Sequence, residues 1–345
     1  MFFISSLKQG GAERVASVLA NYLSSSKFDI ILVTFEKCEN FYDILPNVKQ
    51  ICLDVYKNGI NLKSKFKKLF FIRKTIKQHN PDCAISFLCK TNLSVIISSL
   101  FLKTNLIISE HSHYKFSSKK ERFLRRILYP FASKLVVLTK QDYKYYSFVK
   151  NKKIIYNPFF MDKKSLNLDK KENIMLFVGR LEVVKGCDLF LKALSLIDKK
   201  LLEKWKVLIV GDGSQKEILK KQASNLNLKV NFTGNTTCIE KFYKKAKILV
   251  LSSRSEGLSN VLIEAIFFKV ARIATKCSGP MELIKDKSTG LLCNALDEKD
   301  LSLAIKKLLV DEKLQKTIVE NACLEKNKFY IENIAKEWIE FIKEK

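Results

Sequence analysis

No stretch of this chain approaches the roughly 20 consecutive apolar residues that a membrane-spanning helix needs. The best run, Leu93–Leu102, is cut off at Lys103. The nine cysteines include no Cys-x-x-Cys pair, and the opening residues lack a signal-peptide pattern. Free thiols in a reducing cytosol are therefore expected. Internal repeats and low-complexity segments are absent. Acid is scarce: 35 Asp and Glu stand against 62 Lys and Arg, a formal charge of +27. That surplus admits nucleic acid, an anionic membrane or anionic small substrates as partners. A nucleic-acid platform would alternate aromatics with basic residues, whereas the aromatics here fall mainly within strands and helix faces. Scattered lysines also fit the codon habit of an AT-rich genome, so only the clustered ones carry an argument.

What is present suits two domains of ordinary size. The chain has 345 residues, 47% hydrophobic and 28% charged, enough for sizeable cores. Short apolar strands alternate with helical segments from end to end, which predicts an α/β fold with parallel sheets covered on both faces. In the first half the strands are expected at Phe2–Ser6, Phe28–Phe35, Val48–Leu53, Cys83–Leu88, Leu106–Ser109 and Lys134–Leu138. Ile154–Tyr156, Asn157-Pro158 and the polar run Asp162–Glu172 read as a linker. A second run of strands follows at Ile174–Val178, Val207–Val210, Lys229–Phe232, Ile248–Leu251 and Ala271–Thr275. A helical tail runs from about Lys299 to Lys345. The expected domains are 1–157, 158–330 and a last helix, 331–345.

The richest stretch is Ser252–Glu264, with Glu256 and Glu264 eight positions apart around a helix start. Exposed N–H groups and the helix dipole favour an anion there, and Gly257 allows close approach to the backbone. Each carboxylate accepts two hydrogen bonds, which suits paired sugar hydroxyls. Alone, two glutamates at this spacing mean little. Arg180 and Lys185 stand five apart after the strand Ile174–Val178, offering two cations at a strand's carboxyl end. Further marks are Val-Gly-Asp-Gly at 210–213, Phe-Thr-Gly-Asn at 232–235, Gly-Leu-Leu at 290–292, and Gly10-Gly11 before Arg14.

In this order and at these separations the set resembles the retaining glycosyltransferases of family 4. Ile-Ser-Glu-His at 108–111, Phe-Leu-Arg-Arg at 123–126 and the basic helix around Lys65–Lys77 look like members that extend polyprenyl-diphosphate-linked oligosaccharides from UDP-GalNAc. The resemblance implies the GT-B architecture: two Rossmann-like parallel-sheet domains facing across a cleft, with the C-terminal helix crossing back to the first. It implies a UDP-sugar donor, a polyprenyl-diphosphate-linked glycan acceptor and work at the inner face of the cytoplasmic membrane, without nucleic acid. A UDP-sugar epimerase or another GT-B glycan enzyme is the alternative.

Residue roles follow from the same resemblance. Arg180, Lys185 and the backbone of Gly257, Leu258, Ser259 and Asn260 would hold the donor diphosphate. Glu264 would bind the ribose, and Glu256 the hydroxyls of the transferred sugar. The family usually has an aromatic where Leu258 stands. Thr233, Gly234 and Asn235 would hold the base, and Gly10 and Gly11 would form the cleft floor. No Asp-x-Asp metal motif occurs, so no metal cofactor is expected. His111, at a strand end, would reach the donor sugar with Glu110 orienting it. His113 and His79 are expected at the surface. On Lys63–Lys77 helical spacing groups Phe66, Leu69, Phe70 and Ile76 on one side, with Lys67, Lys68, Arg73, Lys74 and Lys77 around them. Those cations would meet anionic lipid or the acceptor diphosphate, or else simply face water.

Overall fold

The computed structural model describes residues 1–57, 59, 61–159 and 170–344. The expected linker run from Asp162 lies largely outside them. The chain divides into two compact units, Met1–Phe160 with Tyr330–Lys345, and Met161–Phe329.

The first unit is a seven-stranded, wholly parallel sheet in the order β3-β2-β1-β4-β5-β6-β7. Its strands are β1 (Phe2–Ile4), β2 (Ile31–Thr34), β3 (Lys49–Cys52), β4 (Cys83–Phe87), β5 (Asn105–Ser109), β6 (Lys134–Val137) and β7 (Lys152–Ile154). The central strands are apolar without alternation because both faces are covered. One face packs on α1 (Gly11–Ser25), through Val15, Leu19 and Leu23, and on α14 (Ile331–Lys343), through Ile334, Trp338 and Phe341. The other face packs on α2 (Leu62–His79), α3 (Cys89–Ser99), α4 (Lys119–Leu128) and α5 (Lys140–Tyr145). The last helix is held by more than its apolar face. The buried Lys134 amine donates to the Phe341 and Glu344 carbonyls, at the helix's C-terminal end, where the dipole favours a cation.

The second unit is a six-stranded parallel sheet in the order β10-β9-β8-β11-β12-β13. Its strands are β8 (Glu172–Val178), β9 (Lys206–Val210), β10 (Val230–Gly234), β11 (Ala246–Leu251), β12 (Ala271–Thr275) and β13 (Leu291–Cys293). Among its helices, α6 (Cys187–Ser195), α7 (Lys199–Leu202), α8 (Lys216–Asn225), α9 (Glu240–Lys245), α10 (Asn260–Phe267), α11 (Ser278–Leu283), α12 (Glu298–Val310) and α13 (Glu312–Cys323), those that concern the site are α6, α10 and α11. Two strands escape sequence reading. Lys152–Ile154, of which only Ile154 is assigned from sequence and that to the linker, is the edge strand β7, and Leu291–Cys293 is β13. Each has three residues, too few to show a period.

Strand order reverses between β1 and β4 in the first unit and between β8 and β11 in the second. In such sheets ligands bind beyond the carboxyl ends of the strands at the reversal. Gly10-Gly11 follows β1. Arg180 and Lys185 follow β8, and Ser252–Glu256 follows β11.

Candidate functional site

At the reversal in the second unit, glycines let backbones meet. Gly186 sits at φ +66 as the N-cap of α6, and a Cβ there would lie 1.9 Å from the Ser252 carbonyl oxygen. The Ser252 hydroxyl donates to the Gly186 carbonyl at 2.7 Å. Gly211, at φ +143, would meet the Gly179 carbonyl at 2.0 Å if it carried a Cβ, and its N–H donates to the Gly234 carbonyl at 2.9 Å. The ends of β8, β9, β10 and β11 are thus drawn together, and with them the motifs at 179–186, 211–213, 233–235 and 252–257.

The structure joins Lys185 to Glu256. The amine donates to Oε1 at 2.7 Å, and the Ser253 hydroxyl donates to the same oxygen at 2.7 Å. Arg180 is exposed. Hydrogen bonds from the Ser214 N–H and hydroxyl, and then the charge of Arg180, hold the nearby Glu182 carboxyl below its usual range.

Sequence reasoning overlooks Arg254 and Asp188. Arg254 grips Asp188 with both ends of its guanidinium, at 2.7 and 2.6 Å, and donates to the Val183 carbonyl at 2.6 Å. Its N–H donates to the Val184 carbonyl at 2.8 Å. Burial alone would push the Asp188 carboxyl up, but Arg254's hydrogen bonds and charge outweigh it and hold it low. This fork fixes the loop carrying Glu256 against the one carrying Lys185. The pair lies 66 residues apart in sequence, and no local pattern announces it.

Helix α10 begins at Asn260 with Ser259 as N-cap and no side-chain cap. Leu258 and Ser259 are buried, whereas Gly257 and Asn260 are partly accessible. A Cβ on Gly279 would meet the Gly257 carbonyl at 2.3 Å, so α11 presses directly on this segment. Glu264, 5% exposed, lies one turn into α10. Thr233 and Gly234 end β10, with Asn235 in the loop beyond. Among the described residues no group of three or more His, Cys, Asp or Glu could hold a metal ion.

In the first unit Gly10 caps α1 in extended conformation and accepts from the Tyr42 hydroxyl at 3.0 Å, and Gly11 opens the helix. Across the reversal Leu88, between β4 and α3, sits at φ +73, an uncommon place for a side chain that costs on the order of 1–3 kcal/mol. His111 follows β5. Its Nε2 is 3.0 Å from the Ser109 hydroxyl, and its ring lies 5.6 Å from that of Phe87. Burial pushes its pKa down to about 4. Glu110 does not orient it directly. Successive residues of an extended chain point to opposite sides, so Glu110 turns into the core toward Arg125, Tyr129 and Asn92. His113 is also not at the surface. It is buried, with Nδ1 3.0 Å from Asp142.

The basic helix departs from expectation. Ile72 and Ile76 enter the core, while Phe66 and Phe70, each 64% exposed, face solvent with Leu62. These three sit four residues apart, a stripe on the outer side. The five cations differ in their surroundings. Arg73 donates to the Ser98 and Leu100 carbonyls at 3.0 and 2.8 Å, closing the end of α3. Lys68 lies over the Phe35 and Tyr56 rings at 5.4 and 5.8 Å, and burial first, then Lys65 and Lys90, lowers its pKa. Lys67, Lys74 and Lys77 are exposed. The neighbouring α4 repeats the inversion: Phe123 and Ile127 are exposed, and its only buried side chain is Arg125. No described helix is long and apolar enough to cross a membrane.

Residues 9–158 match the family profile described as Glycosyltransferase Family 4, and residues 159–324 that of Glycosyl transferases group 1. The chain is 40% identical, over 99% of its own length and 98% of the relative's, to a Campylobacter jejuni protein. That protein is named GalNAc-alpha-(1->4)-GalNAc-alpha-(1->3)-diNAcBac-PP-undecaprenol alpha-1,4-N-acetyl-D-galactosaminyltransferase. It is 30% identical to the amylovoran biosynthesis glycosyltransferase AmsD of Erwinia amylovora, over 95% of each chain. Among solved structures, HepE of Anabaena in complex with UDP is similar with a TM-score of 0.81 at 18% identity, over 98% of each chain. Sucrose-phosphate synthase of Thermosynechococcus elongatus gives 0.85 at 18%, over 98% of this chain and 96% of that one.

Proposed function

This chain belongs to glycosyltransferase family 4 and has the GT-B fold, and from that premise we propose a donor, an acceptor and a place of work. The donor is a UDP-sugar, with GalNAc as the first sugar to test. The acceptor is a polyprenyl-diphosphate-linked glycan, the class named for the 40% identical relative. The enzyme works as a peripheral protein on an anionic membrane surface.

The observation that carries the donor site is the gathering of Lys185, Glu256 and the start of α10 at one strand reversal. Lys185, Arg180 and the N–H groups from Gly257 to Asn260 take the diphosphate. As the bond from the sugar's anomeric carbon to phosphate breaks, charge grows on the departing UDP, and these donors stabilise it. A new bond forms from that carbon to an acceptor hydroxyl on the same face, and the hydroxyl's proton passes to the departing phosphate. Glu256 holds hydroxyls of the transferred sugar, Glu264 holds the ribose, and the 233–235 loop holds the base. In the first unit His111, uncharged at neutral pH, contacts substrate as a hydrogen-bonding group, and the Gly10-Gly11 turn after β1 lets substrate approach the backbone.

The membrane reading rests on the outer faces of α2 and α4. Exposed Phe66, Phe70, Phe123 and Ile127 stand among Lys67, Lys74, Lys77, Lys119, Lys120 and Arg126. Aromatics amid lysines suit a charged lipid interface.

The test is transfer from radiolabelled UDP-GalNAc, UDP-GlcNAc and UDP-glucose to a lipid-linked acceptor extract, with labelled oligonucleotide binding alongside. Transfer from one UDP-sugar supports the reading. Activity confined to a non-uridine donor, or tight oligonucleotide binding without transfer, overturns it.

A further inference from the structure

Helix α4 is built inside out. Its solvent side carries Phe123 and Ile127, and the one side chain it buries fully is Arg125, 1% exposed. Burying a guanidinium is strongly unfavourable unless it is paired and hydrogen-bonded. An apolar residue would fill this position at less cost. The partners are all present: Arg125 donates to the Tyr146 hydroxyl at 2.9 Å, to the Cys89 sulfur at 3.0 Å and to Glu110 Oε2 at 3.4 Å. Glu110 is itself 2% exposed, and its other oxygen accepts from the Tyr129 hydroxyl and from Asn92 Nδ2 at 3.4 Å. Asn92 also donates to the Ser109 carbonyl at 3.1 Å and accepts from the Ser86 hydroxyl at 2.5 Å. Ser109 holds the His111 ring at 3.0 Å. One continuous set of hydrogen bonds thus runs from α4, through Glu110 and Asn92, to the three residues 109–111. Beside it Leu88 keeps its left-handed backbone, its N–H bound to the Ser109 carbonyl at 3.1 Å.

We propose that Arg125 and Glu110 are positioning residues for His111: the buried pair ties the end of β5 to α4 and so fixes where the imidazole stands relative to the helix whose apolar side faces outward. The pair's work is registry. It selects one placement of the 109–111 segment where an apolar contact would tolerate several. Burial supports this by pushing the Glu110 carboxyl up while the adjacent guanidinium, Tyr129 and Asn92 pull it down, so the network is sensitive to the loss of any member. The inference rests on the substrate-contacting role given to His111 above.

The experiment compares wild type, His111→Ala, Arg125→Met and the double variant Arg125→Met with Glu110→Leu, using the full chain. Arg125→Met alone strands a buried carboxylate and is expected to unfold at lower denaturant. The double variant removes both charges and is expected to regain most of wild-type stability. In the double variant kcat is expected to fall on the order of ten- to a hundredfold, as for a misplaced reacting group, with KM for the UDP-sugar unchanged. The His111 imidazole signals in a ¹H–¹⁵N spectrum are expected to shift or broaden, and Glu110→Gln beside Arg125 to restore part of kcat. A double variant with wild-type stability, kcat and His111 signals overturns the proposal. His111→Ala with wild-type kcat overturns the role of His111 instead, whatever the double variant does.

Discussion

Lys185 and Glu256 hold each other at 2.7 Å, so a diphosphate arriving at the amine competes with the carboxylate. Replacing Glu256 by Ala is therefore expected to leave UDP affinity unchanged or tighter while transfer collapses. Lys185→Ala removes a charge-assisted contact of roughly 1.5–3 kcal/mol, at least tenfold in UDP affinity. Glu264→Ala is expected to weaken UDP itself. Calorimetric titration with UDP separates the three, and equal losses in both glutamate variants would show the division of roles to be mistaken. EDTA is expected to leave transfer intact, and loss that Mg²⁺ or Mn²⁺ restores would overturn the use of cations in place of metal. His111 supplies a pH test. Its folded pKa, about 4, lies below the ordinary 6.5, so between these values the unfolded chain binds the extra proton. The stability it contributes is complete above about pH 6.5 and is lost as pH falls toward 4. Urea unfolding at pH 7.5 and 5 is expected to show a larger loss for wild type than for His111→Gln. Equal losses would mean that burial does not depress the pKa of the ring.

The helices α2 and α4 show how two roles share one element. On α2, Ile72 and Ile76 fill the core and Arg73 closes α3, while the 62-66-70 stripe and three lysines face out. Replacing Lys67, Lys74 and Lys77 by Gln removes about 1 kcal/mol each of attraction to an anionic surface, on the order of a hundredfold in vesicle partitioning. Phe66 and Phe70 changed to Ser are expected to lower partitioning even at high salt, where the lysines matter less. Arg73→Ala is expected to do neither. It leaves two carbonyls without their donor, at about 1–3 kcal/mol of stability. Vesicle flotation beside denaturant melts distinguishes these outcomes, and flat partitioning for both lysine and phenylalanine variants would remove the lipid surface.

At the scale of the whole molecule, the first unit is made from both ends of the chain, whereas the second is one continuous segment with its own core. Residues 161–329 expressed alone are expected to fold and to bind UDP. Trp338→Ala is expected to cost about 3–5 kcal/mol, because the ring packs on Phe87 at 6.4 Å beneath the segment carrying His111. Differential scanning calorimetry is expected to place that loss in the first unit's transition alone. A shift of the second unit's transition instead would contradict the division.

Much of this was legible in the one-dimensional pattern. Strand–helix alternation, buried-strand composition and the ordered marks from Gly10 to Leu292 determine two parallel-sheet units and point to Arg180, Lys185, Glu256 and Glu264. These signals are local, because each motif is a loop between one strand and its own helix. What the tertiary structure decided is nonlocal. The Arg254–Asp188 fork joins residues 66 apart, and the Lys134 amine caps a helix more than 200 residues away. Periodicity shows that a helix has an apolar side but not which side meets the core. On α4 the buried side chain is Arg125, and on α2 Arg73 turns toward the end of α3 beside the core-facing Ile72 and Ile76, while phenylalanines of both helices face out, because the two arginines find acceptors in the packed layers that water would otherwise have supplied.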